Sequence, residues 1–63
     1  MPFVEVTLVE GRSPQTLRDL ISALTHATAD TTGAPLASIR VVVREVPSTH
    51  WAAGDVTIQE RER

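Results

Sequence analysis

A chain of 63 residues with a formal charge of -2 and no cysteine has room for one small domain and no disulfide to brace it. Its acidic balance excludes the basic face expected of a nucleic-acid binder, and the two histidines, His26 and His50, supply no metal-ligand cluster of usable spacing. No run approaches the ~20 apolar residues of a membrane span and no basic-then-apolar leader opens the chain, so a cytoplasmic protein is expected. A chain this short buries only about 60% of its unfolded surface, and ordering costs of ~1.5 kcal/mol per residue nearly cancel the hydrophobic gain. Oligomerisation is the remaining source of stability.

The chain opens Met1-Pro2-Phe3. An initiator Met followed by a small side chain is a substrate for aminopeptidase, and its removal leaves Pro2 first. An N-terminal proline has no carbonyl on its nitrogen, so the nitrogen keeps a lone pair that can take and return a proton. Removal of Met1 is therefore the first expectation.

From Phe3 to Val9 the sequence FVEVTLV alternates, with Val4, Val6 and Leu8 on one face and Phe3, Glu5, Thr7 and Val9 on the other. That pattern predicts a strand. Glu10-Gly11-Arg12 breaks it. Ser13-Pro14 then supplies a helix N-cap followed by proline at the first helical position, where its missing N–H costs nothing. Leu17, Leu20, Ile21, Leu24, Ala27 and Thr28 recur at steps of three and four, forming a stripe that faces a sheet, with Arg18, Asp19, Ser22, Thr25 and His26 outside it. The helix is expected to end near Thr31 or Thr32, with Gly33 as C-cap and Pro35 as a stop.

Ile39 to Val46, IRVVVREV, predicts a second strand. Strand, helix and strand make a right-handed βαβ unit with parallel strands, an α+β architecture. Both strands keep valines on the face opposite the helix, which points to a subunit contact. Two copies paired edge to edge would give a four-stranded sheet with two helices. After Pro47 an irregular stretch holds the sole tryptophan, Trp51. Val56, Thr57 and Ile58 suggest a short strand capping a neighbouring subunit, and Gln59 to Arg63 a charged tail that frays.

Three residues align with Pro2 as candidates for chemistry: Arg12 at the exit of the first strand, Arg40 near the start of the second, and Trp51 beyond it. A lone arginine in such a place is usually a solvated charge, and a lone tryptophan usually packs an interface. Their combination in one short chain argues against that reading.

Pro2, the run Val9-Glu10-Gly11-Arg12-Ser13, Ala34-Pro35-Leu36 with Ser38-Ile39-Arg40-Val41, and His50-Trp51 together resemble the 4-oxalocrotonate tautomerase family across essentially the whole chain. The resemblance implies a homohexamer built as a trimer of dimers, with sites at subunit boundaries, a small carboxylate as substrate, and neither metal nor organic cofactor. It implies that Pro2 is the general base, that Arg40 binds the reacting end and stabilises enolate charge, and that Arg12, from a different subunit, holds the distal carboxylate. Trp51 stands at an aromatic position where the family usually has phenylalanine, and would keep the pocket dry. Val9 stands where related dehalogenases carry a second arginine, and Ala53 where they carry a water-activating carboxylate. Glu10 and Asp55 are carboxylates at the wrong register, so unassisted proton transfer is favoured over water addition, and Val9 is expected to line the substrate site.

Magnitudes support these roles. A free α-amino group titrates at about 8, above the pKa a base needs near neutral pH. One guanidinium ~7 Å away at an effective dielectric of ~20 disfavours the ammonium by ~2.4 kcal/mol, more than one pKa unit, and desolvation pushes the same way. The expected activity is enol–keto conversion of a small unsaturated 2-hydroxy or 2-oxo acid such as 2-hydroxymuconate. Two rivals keep the same residues: Pro2 as an iminium-forming nucleophile on a carbonyl, and a non-catalytic oligomeric binding module in which the arginines form structural ion pairs.

Overall fold

A computed structural model describes residues 1–62. Strand β1 spans Phe3–Val9, helix α1 Pro14–Thr32 and strand β2 Arg40–Val46, followed by short strands β3 (Ala52–Ala53) and β4 (Val56–Thr57) and a one-turn helix α2 (Ile58–Arg61). β1 and β2 pair in parallel, with Phe3 opposite Arg40, Val6 opposite Val43 and Val9 opposite Val46. The expected βαβ unit is therefore present. Its second strand starts one residue later than the sequence suggests, because the Ile39 N–H is taken by the Leu36 carbonyl (3.1 Å) in a 3-10 turn over Leu36–Ser38.

Local chemistry sets the ends of α1. The Ser13 side chain accepts from the Thr16 N–H at 3.1 Å, Pro14 occupies the first turn, and Gly33 closes the helix at φ 78 with its N–H on the Ala29 carbonyl, a left-handed C-cap suited to glycine. α1 lies chiefly against β2. Leu17, Leu20, Ile21, Leu24 and Thr28 are half-buried as expected, but Ala27 is exposed while Ser22, Thr25 and Ala29 are half-buried. Thr25 can join the covered face because its hydroxyl donates to the Ile21 carbonyl at 2.7 Å, leaving no polar atom unsatisfied.

Ile39, 8% exposed, is the single buried residue among the described ones, and none is fully buried. Val4, Val6, Leu8, Val41 and Val43 are half-buried, on the alternate positions that α1 covers. The reverse face carries Phe3, Glu5, Thr7 and Val9 beside Arg40, Val42, Arg44 and Val46. Among the described residues nothing lies over it: Phe3 is 60% and Val42 37% exposed, and Glu5 pairs with Arg44 at 3.1 Å. The molecule measures 44 × 25 × 13 Å, and its thinnest dimension is that of one sheet with one helix on it. Among the described residues each strand of this sheet pairs only with the other.

The C-terminal segment departs from expectation. Val56–Thr57 is a strand, but it pairs antiparallel with Ala52–Ala53 of its own chain. The connecting turn passes through Gly54 (φ 59) and Asp55 (φ 67), two positive angles that mark the tight hairpin turn matched to strand twist. Ile58 begins α2 instead of extending the strand, and its N–H meets the Trp51 carbonyl at 2.9 Å. Gln59–Arg61 is helical, held by a reciprocal capping box in which Thr57 N–H donates to Glu60 Oε1 (2.9 Å) and Glu60 N–H to Thr57 Oγ1 (3.2 Å). Arg63 lies outside the described residues. No described helix is long and apolar enough to cross a membrane.

Candidate active site

At the N-terminal end of the sheet, the Arg40 N–H donates to the Pro2 carbonyl at 3.0 Å. That bond extends the parallel ladder by one rung and fixes half-buried Pro2 beside the start of β2. The Arg40 side chain folds along the preceding turn, where Nη1 donates to the Ala37 carbonyl at 2.8 Å and lies 3.4 Å from the Ile39 carbonyl. Met1, 84% exposed, precedes Pro2 and makes its nitrogen an amide while it remains attached.

The opposite end of the sheet carries the other candidates. Val9, half-buried, sits across from Val46, and the Glu10 N–H reaches the Val46 carbonyl at 2.8 Å. Arg12 then folds back, donating from Nη1 to the Val9 carbonyl at 2.7 Å. Trp51, 38% exposed, follows a 3-10 turn over Ser48–His50 on the arm that leaves β2 at this same end.

The chain thus brings Pro2 to Arg40 and Val9 to Arg12, and keeps the two pairs apart. The seven residues of β1 at ~3.3 Å each separate them by ~23 Å, well beyond the reach of an arginine side chain. Among the described residues the single chain encloses no cavity, no group of three His, Asp or Glu gathers in metal-ligating geometry, and the one ion pair is Glu5–Arg44. Neither Arg12 nor Arg40 faces a carboxylate of the described residues. Each has only its Nη1 on main-chain carbonyls, Val9 for Arg12 and Ala37 with Ile39 for Arg40, and a guanidinium has five donors in a planar fork, so both retain donors and a charge suited to a carboxylate or an enolate oxygen. The main-chain anchors at Val9 and Ala37 were invisible in the sequence, because a carbonyl acceptor has no residue-type signature. Glu60, whose carboxyl is drawn below its ordinary value by the Thr57 N–H and then the Thr57 hydroxyl, belongs to the C-terminal cap and to neither pair.

A model of the tautomerase enzyme family matches residues 2–61. The chain is 46% identical over 56 residues to a probable tautomerase of Ralstonia nicotianae, spanning 89% of this chain and 80% of the relative. It is 35% identical over 60 residues to the 2-hydroxymuconate tautomerase of Pseudomonas putida, spanning 95% of each. Among solved structures it superimposes on TomN, a 4-oxalocrotonate tautomerase homologue in the tomaymycin biosynthetic pathway, with a TM-score of 0.94 at 44% identity, covering 97% of this chain and 94% of the other. The heterohexamer 4-oxalocrotonate tautomerase of Chloroflexus aurantiacus J-10-fl gives a TM-score of 0.91 at 38% identity, covering 95% and 97%.

Proposed function

Taking as premise that the chain belongs to the tautomerase family and is an isomerase, we propose that it converts a small unsaturated 2-hydroxy dicarboxylic acid, of which 2-hydroxymuconate is the type, into its 2-oxo form. The observation that carries this reading is the placement of two arginines that face no carboxylate among the described residues: Arg40, whose main chain bonds Pro2, and Arg12 at the far end of the sheet. Supplied by different copies, two such cations would match a small substrate with a carboxylate at each end.

After removal of the exposed Met1, the Pro2 nitrogen accepts the proton of the substrate 2-hydroxyl. The O–H electron pair becomes the new C=O bond, the conjugated double bonds shift, and the proton returns from Pro2 to a carbon, C3 for a 1,3-transfer or C5 for a 1,5-transfer. Charge on the 2-oxygen is greatest midway, and donors aimed at it lower the barrier most. Arg40 is the residue for that task. Arg12 holds the distal carboxylate, Val9 and Trp51 wall the pocket, and the same two cations keep the Pro2 amine neutral near pH 7.

Because Pro2 and Arg12 stand ~23 Å apart along one strand, a complete site takes them from different copies. Antiparallel pairing of two copies, edge to edge, sets the Pro2 end of one sheet beside the Arg12 end of the other. A homohexamer, a trimer of such dimers, would also cover the apolar reverse face around Phe3 and Val42. The assembly of a solved relative as a heterohexamer supports this stoichiometry.

The test is ketonisation of 2-hydroxymuconate by chains beginning at Pro2. Pro2→Ala should lower kcat by roughly 100-fold or more, in the range of a lost general base. Equal rates would remove Pro2 from the chemistry.

A further inference from the structure

The turn that carries Arg12 holds one residue to which the chemistry assigns nothing. Gly11 sits at φ +133, an angle that side-chain-bearing L residues rarely adopt. A Cβ built there meets nothing within 4 Å, so neither crowding nor close approach of another segment explains the glycine. The backbone angle does. It falls between the last rung of the sheet, Glu10 to Val46, and the Ser13 cap of α1, at the point where the chain must curl for Arg12 to return to the Val9 carbonyl at 2.7 Å.

We infer that Gly11 is a positioning residue for substrate binding: its positive φ turns Arg12 back along β1, where Val9 fixes one guanidinium N–H and the rest of the exposed fork stays free for a carboxylate. The inference rests on Arg12 holding the distal carboxylate. An L residue at position 11 drives φ negative, releases the guanidinium from Val9 and leaves it to sample many rotamers. Substrate affinity falls, while the base at Pro2 and the enolate donor Arg40 are untouched.

A chain this short is accessible to total chemical synthesis, so the angle can be tested apart from the side chain. Reflected in sign, the Gly11 φ lies in the range that L residues occupy, so D-alanine can take the positive angle that L-alanine resists. Gly11→Ala should raise KM for 2-hydroxymuconate by roughly tenfold or more with kcat within about twofold, the signature of lost ground-state binding. The Gly11→D-Ala chain should have the native KM. The double variant Gly11→Ala/Arg12→Ala should be no worse than Arg12→Ala alone, since a residue that acts through Arg12 has nothing to act on once Arg12 is gone.

Equal impairment by L- and D-alanine, or additive losses in the double variant, would overturn the inference. So would an unchanged KM in Gly11→Ala beside a raised one in Arg12→Ala, and that result would leave the Arg12 role intact. An unchanged KM in Arg12→Ala itself overturns both. Should the L-alanine chain not assemble, the D-alanine chain still decides, because a raised KM in an assembled D-alanine enzyme is incompatible with a purely angular role.

Discussion

Arg40 and Arg12 are each held by main-chain carbonyls, Ala37 and Ile39 for the first and Val9 for the second, and that anchoring makes the choice of arginine over lysine consequential. A lysine ammonium is a compact, strongly hydrated point charge without a planar fork. Placed at position 40, it can keep the turn carbonyl or reach the substrate oxygen, but it cannot offer both with one geometry. Arg40→Lys is expected to lower kcat by roughly 10- to 100-fold, with a smaller change in KM, measured by steady-state ketonisation. A kcat near wild type would show that charge alone suffices. The candidates Pro2, Val9, Arg12, Arg40 and Trp51 were all legible in the sequence as residue types in order. Their placement at two ends of the sheet was legible too, because Arg12 leaves the first strand and Arg40 enters a parallel second one; what could not be read was which main-chain carbonyls hold each guanidinium.

Within single elements, legibility followed the strength of local signals. Ser13, Pro14 and Gly33 bracket α1, and the helix ends where they place it. The hairpin β3–β4 went unread because its strands are two residues each and its turn is Gly54-Asp55, the reverse of the usual Asn-Gly or Asp-Gly order. That order leaves Asp55 as the one non-glycine residue with a positive φ among the described residues, at 67. Asp55→Gly should therefore stabilise the hairpin by roughly 0.5–1 kcal/mol, seen as a higher denaturation midpoint at fixed protein concentration. The capping box of α2 has a pH signature. Glu60, with its folded-state pKa lowered by the Thr57 N–H and hydroxyl, contributes stability that is present above its unfolded value and disappears as pH falls through the lower folded one. Hydrogen exchange of the Glu60 amide, bonded to Thr57 Oγ1, should accelerate relative to α1 amides on acidification through that window. Glu60→Gln should abolish the pH dependence.

For the whole molecule, the decisive quantities are one buried residue among the described ones, Ile39, and a thickness of 13 Å. The valines opposite the helix announced an uncovered face in the sequence, and the structure leaves that face bare around Phe3 and Val42. If Pro2 and Arg12 of one site come from different copies, two crippled variants can repair each other. Pro2→Ala and Arg12→Ala chains, denatured, mixed in equal amounts and reassembled, should form about one site in four with both residues intact under random pairing. Activity at substrate well below KM should then rise towards a quarter of wild type, above either variant alone. A mixture no more active than the average of its components would show that each site draws Pro2 and Arg12 from one chain.

The unpaired outer edges of β1 and β2 set a demand on the newly made chain. Each is a row of free N–H and C=O groups about seven residues long, the kind of template on which foreign strands and fibrils nucleate. A solitary copy is thus a hazardous species whose safe lifetime depends on how soon it meets a sibling. Synthesis of many copies from one message, close together in time and place, would serve protein quality control here as much as it serves enzyme yield.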